Sequence, residues 1–476
     1  MSGRLIPLRG LVATLFGAGL LAGCMSLAPD YQRPAAPVPA ALPAGLASPS
    51  LAAGQALPAW SALLRDPRLL RLAEQAVANN RDLRVALLNV DRSRAQLRLT
   101  EADRWPTLSA AVSASRAPST TTGDQVNSFQ AGLQVASYEL DLFGRVRSAS
   151  DSAAATLLGS EAGARATRLA LVTQVVQAWF TLAADQEQLA LAQQTLAGRE
   201  QTLKLAELRA QVGAASDVEL QGTRGLLAQA RASVAALQRQ VAQDTNALTL
   251  VVGRPVEAAD LPAAPTAERP TAPMDAQALA EVPAGASSEL LLRRPDVMQA
   301  EQALIAANAN IGAARAAMFP RIALSGSAGV VSDTLRGLLE SGTFAWTLGA
   351  NAALTLFDAG RNQANVKVAE VGRDIAVAQY EKAIQTAFRE AADALVAQAA
   401  WRDQATAQAQ LQASERERLR LTRLRYEAGV ANLVELLDAE RSLAAAEQAL
   451  VLARLGEVLN RLALYKALGG EELAPA

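Results

Sequence analysis

Two stretches that repeat each other decide the fold: Val212-Gly213-Ala214-Ala215-Ser216-Asp217-Val218-Glu219-Leu220 and Ala428-Gly429-Val430-Ala431-Asn432-Leu433-Val434-Glu435-Leu436. Each follows a long amphipathic run with an arginine just before the turn, Arg209 or Arg425. Each places glycine where a helix stops in the left-handed region, which glycine enters without a Cβ clash. Each restarts at a capping residue three positions before a glutamate, Ser216 before Glu219 and Asn432 before Glu435. Past the first cap, Leu220, Leu227, Val234, Val241 and Leu248 recur every seventh residue. Past the second, Leu436, Leu443, Leu450 and Leu464 hold the matching places, and Glu457 interrupts the series. A sustained seven-residue apolar period winds helices into a left-handed supercoil. The spacing therefore predicts two helix-turn-helix hairpins of coiled-coil type.

The repetition extends well beyond the turns. Asp82 and Asp296, Pro106 and Pro320, and Phe143 and Phe357 each lie 214 positions apart. After an insertion at Asp358-Ala359 the offset becomes 216, as for Arg145 and Arg361, Gly213 and Gly429, and Gly253 and Gly469. A fixed internal offset of this length marks a tandem duplication. Each half reads helix, strand, strand, long helix, turn, long helix. The expected division is a signal peptide at 1–23, a lipidated tether at 24–58 and a first repeat at 59–253. A linker at 254–288, a second repeat at 289–470 and a tail at 471–476 follow.

Composition narrows the function. Hydrophobic residues make up 51% of the 476 residues but aromatics only 4%, which suits close-packed helices better than a large globular core. A formal net charge of −1 gives no basis for nucleic-acid binding. The chain has no histidine, so the commonest general base and metal ligand are both missing. No phosphate-binding loop occurs. An enzyme is therefore the weakest reading, and neither a metal nor a cofactor is expected.

Arg4 and Arg9 precede a short apolar run, Leu11 to Leu21, that ends in Leu21-Ala22-Gly23-Cys24. The run is too short for a permanent membrane span and reads as a secretory signal. Its end resembles a bacterial lipobox, in which the cysteine is acylated and becomes the mature N-terminus. Cys24 is the only cysteine in the chain. A single acyl chain holds a protein marginally, whereas two give stable anchoring. Met25 rather than Asp after the cysteine implies, in such lipoproteins, sorting to the outer membrane. The Pro- and Ala-rich stretch from Ser26 to Pro58 reads as an extended tether.

Trp60 begins a helical pattern that runs to Trp105-Pro106, where proline ends it. Two alternating runs follow, Thr107 to Arg116 and Phe129 to Ser137, and their counterparts are Ile322 to Val330 and Phe344 to Leu354. At about ten residues, each has the length of a tilted transmembrane strand. Four strands cannot close a barrel, and an open sheet edge cannot face lipid. Three copies of the chain would supply twelve strands. The long helices, read as Ala149–Val212 and Gln363–Ala428, would each reach about 100 Å at 1.5 Å per residue, far beyond any bilayer. They must project into an aqueous compartment.

The chain resembles the TolC-type outer membrane factors of the lipoprotein, NodT-like branch over almost its whole mature length. The residues that carry the resemblance are Leu292-Arg293-Arg294-Pro295-Asp296-Val297, Gln299-Ala300-Glu301 and the run from Ala306 to Pro320. Tyr138 to Arg145, Phe357 to Arg361, Phe388 to Leu395 and Leu464 to Gly470 complete it. The resemblance implies a mixed α/β membrane protein, a homotrimer with a twelve-stranded outer membrane β-barrel and an α-helical periplasmic tunnel. It also implies docking on a periplasmic adaptor and an inner-membrane efflux pump that supplies the energy.

By the same resemblance, the constriction falls on Val434 as an apolar ring and Asp438 as an acidic ring, with Arg441 as a tethering charge. Val212, Gly213, Ala214, Gly429 and Val430 become adaptor-contact turns. The counterparts of Asp438 and Arg441 in the first half are Gly222 and Gly225, so one hairpin per protomer carries the gate. Read from the residues alone, Asp438 and Arg441 are also an ordinary i, i+3 surface pair. A protein-secretion duct and a pore-less coiled-coil lipoprotein are the competing functions, and the latter leaves the four strands unexplained.

Overall fold

The computed structural model describes residues 26–42, 59–118, 123–213, 215–263, 279–280, 288–340 and 342–470. The expected signal peptide, Cys24, Ala214 and the 471–476 tail lie outside the described residues, as does most of the 254–288 linker. In chain order the elements are α1 (Trp60–Leu63), α2 (Pro67–Asn79), α3 (Arg81–Ala102), β1 (Ser109–Pro118), β2 (Gln125–Leu140), α4 (Arg145–Gln211) and α5 (Asp217–Val252). The second half adds α6 (Pro295–Ala316), β3 (Arg321–Ser332), β4 (Phe344–Ala353), α7 (Arg361–Glu427) and α8 (Leu433–Ala467). Short 3₁₀ turns lie at Ala258–Asp260, Ser288–Arg293 and Arg336–Leu339. Among the described residues no helix is long and apolar enough to cross a membrane.

The helix expected from Trp60 to Trp105 is broken twice and ends at Ala102, short of Pro106. Asp66 accepts a hydrogen bond from the Arg68 amide and Pro67 fills the first helical position, the usual start of a new helix. Asn80 makes the second break by capping α3, its Oδ1 accepting from the Asp82 and Leu83 amides.

By internal packing the chain divides into two units. One holds residues 1–35, 88–162 and 299–382 and contains the sheet. The other holds 36–87, 163–298 and 383–476 and contains both hairpin turns.

The sheet is antiparallel throughout, in the order β1-β2-β3-β4. Among the described residues, β1 and β4 therefore each have one edge without a partner strand. Every residue of β4 is exposed, including Phe344, Trp346 and Leu348. At the β2–β3 junction, Glu139 accepts from Arg145 at 2.7 and 2.8 Å and pairs with Arg321 at 2.6 Å. Phe143 stacks on Phe319 with centroids 4.7 Å apart. Asp141 caps α4 through the Val146 and Arg147 amides, and Asp358 caps α7 through Asn362.

Gly132 faces Gly329 across the β2–β3 pairing. A Cβ on Gly132 would lie 2.5 Å from the Ala328 carbonyl oxygen and 2.6 Å from the Gly329 Cα. Both neighbours are backbone, so the strands themselves would have to part. Gly132→Val is expected to cost about 1–3 kcal/mol, read as a lower urea midpoint of the micelle-folded protein. An unchanged midpoint would show that the strands can separate freely there.

In the helical unit, Leu69, Leu72, Ala73 and Ala76 of α2 are fully buried, as are Phe180, Leu182, Leu248 and Tyr465. Most of the heptad series faces inward: Leu227, Val234, Leu248, Leu436, Leu450 and Leu464 are buried, and Leu220, Val241 and Leu443 are half-buried. The two repeats also end alike. In the first, Asn80 Nδ2 donates to the Val251 carbonyl at 2.8 Å; in the second, Arg294 Nη1 donates to the Ala467 carbonyl at 2.8 Å. Each satisfies a carbonyl in the last turn of a returning helix, where no intrahelical donor remains. Gly253 and Gly469 follow these helix ends with φ of 78° and 96°. A Cβ on Gly253 would meet the Asn79 carbonyl oxygen at 2.7 Å, so this glycine also admits the junction of α2 and α3.

Candidate functional site

Both hairpin turns are built as the capping pattern requires. Gly213 and Gly429 have φ of 73° and 75°. Space for a Cβ is open at both, so backbone conformation alone selects glycine. At the second turn the Val430 amide reaches back to the Arg425 carbonyl at 2.8 Å, closing the helix with a Schellman-type bond. Ser216 accepts from the Glu219 amide at 3.2 Å and Asn432 from the Glu435 amide at 2.9 Å. Val212, Gly213, Gly429 and Val430 are exposed, leaving apolar side chains and bare backbone at the turns.

Two residues past the second cap, Val434 is 74% exposed. Asp438 is half-buried and accepts from Arg441 Nη2 at 2.6 Å. It also accepts from Arg418 of α7 at 3.4 and 3.5 Å, so the carboxylate bridges α7 and α8. Arg418 is the member that sequence reasoning missed. It lies 20 residues away in an arginine-rich run with no distinguishing pattern of its own. The neighbouring Glu440 takes Arg199 of α4 at 2.7 Å and Arg423 of α7 at 3.5 Å. Arg425–Glu435 and Arg416–Glu447 extend the α7–α8 ladder. Arg209 donates to the Tyr426 hydroxyl at 2.6 Å with its guanidinium 4.9 Å from the ring centroid. The first hairpin has glycine at 222 and 225 and, among the described residues, joins its helices by two exposed pairs, Arg224–Glu207 and Arg231–Glu200.

Higher in α4, Glu187 is buried and neither carboxylate oxygen has a hydrogen-bond partner among the described residues. Burial pushes its carboxyl up to about 7, with Arg454 opposing and Glu447 adding to the shift. Asp185 rises to about 7 as well, through burial and its contact with Asp244. The folded protein thus keeps a proton on Glu187 that the unfolded chain releases above its ordinary 4.5. Stability therefore falls as pH rises from that value to about 7. Glu187→Gln is expected to flatten the thermal midpoint against pH, a difference of up to about 3 kcal/mol above neutrality. Parallel curves for wild type and variant would contradict this assignment. No group of three or more His, Cys, Asp or Glu residues among the described residues could hold a metal ion.

Residues 72–254 and 286–470 match the sequence pattern described as outer membrane efflux protein. The chain is 41% identical over 466 residues to the solvent efflux pump outer membrane protein SrpC of Pseudomonas putida, covering 96% of this chain and 97% of the relative. It is 42% identical over 470 residues to the outer membrane protein OprJ of Pseudomonas aeruginosa, covering 98% and 96%. Among solved structures, the open state of the Neisseria gonorrhoeae MtrE outer membrane channel is similar with a TM-score of 0.82 at 38% identity, covering 94% of this chain and 98% of that one.

Proposed function

Because the chain belongs to the outer membrane efflux protein family, we propose that it forms the outer membrane duct of a tripartite efflux system. It is an outer membrane channel component of an efflux pump, and not an enzyme. The observation that carries the finer reading is the four-stranded sheet whose β1 and β4 edges are open. In lipid those edges must pair, and three protomers placed edge to edge close a twelve-stranded barrel. The paired long helices of the same three protomers then line the periplasmic passage.

Cargo enters from an inner-membrane pump through a periplasmic adaptor that contacts the exposed turns at Val212, Gly213, Ala214, Gly429 and Val430. Val434 and Asp438 narrow the passage, with Arg441 paired to Asp438, and Cys24 carries the lipid that anchors the mature chain. Solvents or antibiotics, the cargo in the names of several relatives, suit such a duct. A pore-less spacer leaves the open sheet unexplained. The test is the mass of the detergent-extracted oligomer after subtraction of bound detergent. Three chains per particle is the expected result, and a stable monomer or dimer in the membrane would overturn the reading.

A further inference from the structure

The segment just after Cys24 lies along one face of α6. Arg33 gives Glu301 two hydrogen bonds, Nε to Oε1 at 2.6 Å and Nη2 to Oε2 at 3.0 Å. The Tyr31 hydroxyl donates to the same carboxylate at 3.1 Å. Seven residues further along α6, Asn308 Nδ2 donates to the Pro29 carbonyl at 2.7 Å. Another turn on, Gly312 admits both Ala28 and Ser148 of α4: a Cβ there would lie 2.6 Å from Ser148 Oγ, 2.7 Å from the Ala28 nitrogen and 2.8 Å from the Ala28 Cβ.

We propose that Glu301, Asn308 and Gly312 form a seat for the chain's own N-terminal strap, Ser26 to Arg33, and that this seat fixes where the Cys24 anchor leaves the protein. Three observations separate a seat from incidental packing. Glu301 is 6% exposed, and every hydrogen bond to its side chain among the described residues comes from the strap. Release of the strap would strip this carboxylate of all three of those hydrogen bonds at once, which is costly. The register also fits: eleven helical residues rise about 16 Å, the span of five extended residues. Finally, the duplication did not supply the seat. The positions 214 earlier in α3 are Leu87, Arg94 and Arg98, so each protomer has one strap and one seat.

Polarity gives the seat its use. Moving toward the N-terminus, the strap climbs α6 toward its C-terminal end, and β3 starts at Arg321. Cys24 is four residues before Ala28, a reach of at most about 14 Å. The anchor therefore enters the bilayer beside the base of β3, and pull on the lipid is borne by the element that carries the sheet.

This inference rests on the reading that Cys24 is acylated, and one experiment tests the two separately. Full-length protein is expressed with radiolabelled palmitate, and isolated membranes are treated with chymotrypsin, which cuts after Tyr31. In the wild type, label and body should stay together. Glu301→Ala and Arg33→Ala should be cut about tenfold faster or more, splitting the labelled peptide from an intact body. Gly312→Leu, which leaves Glu301 in place, should do the same by displacing Ala28. The exchange of charges in Arg33→Glu with Glu301→Arg should restore protection. Wild-type cleavage rates in Arg33→Ala and Gly312→Leu would overturn the seat. Absence of label from the wild type would overturn acylation alone, with the cleavage rates still deciding the seat.

Discussion

Arg294→Met is expected to destabilise the helical unit by about 3 kcal/mol. Arg294 is 4% exposed and donates in three directions: to Asp296 at 3.0 and 2.8 Å, to Glu390 at 2.8 Å and to the Ala467 carbonyl at 2.8 Å. One side chain thus ties the start of α6, the middle of α7 and the end of α8. Methionine keeps most of the volume but leaves two carboxylates facing each other and a helix-end carbonyl without its donor. Burial opposes ionisation of Asp296, yet the Arg294 hydrogen bonds more than offset it and hold its carboxyl below the usual value. Stability from that pair is fully present above the ordinary aspartate range and is lost as acid titrates Asp296 below it. The wild-type advantage over Arg294→Met should therefore shrink in strong acid. Equal thermal midpoints at neutral pH would mean that the carboxylates find other partners.

Asp438→Ala is expected to raise single-channel conductance several-fold. The carboxylate is held by Arg441 from its own helix and Arg418 from α7. Removing it deletes the α7–α8 bridge at that level, leaving Arg418 to Glu415 of its own helix at 2.7 Å and Arg441 without its carboxylate. In the proposed trimer the change would occur three times around one axis, at the level where the proposed Asp438 and Val434 rings would restrict ion flow. An exposed i, i+3 pair on its own is worth a few tenths of a kcal/mol, too little to hold a passage shut. The prediction therefore depends on the cross-helix contact and on threefold repetition. Asp438→Asn should behave like the alanine variant. Unchanged conductance in both, with the oligomer intact, would remove the gate from this position.

The sequence exposed local chemistry far better than distant contacts. Gly213 and Gly429 with Ser216 and Asn432 signal their turns within nine residues, and both turns form as read. The four strands were legible from alternation, although β2 runs to sixteen residues, from Gln125 to Leu140. The break at Asp66-Pro67 carried a standard start signal, but the apolar pattern continues through it and hid the interruption. Arg294 was visible only as part of a motif. Asp296 lies inside that motif, but the other two partners lie 96 and 173 residues away, and no periodicity links them. The same holds for Glu301, whose partners precede it by 268 and 270 residues, and for Arg418 beside Asp438. Offset arithmetic could have paired Asn80 with Arg294, but the residue types differ and the shared role is a hydrogen bond to a carbonyl.

The most direct test of the account is the single-channel conductance of the purified wild-type oligomer in a planar bilayer. An efflux duct that rests nearly closed should give small, discrete, ohmic steps. A verified, stable oligomer that inserts yet leaves the bilayer electrically silent, in wild type and Asp438→Ala alike, would contradict it.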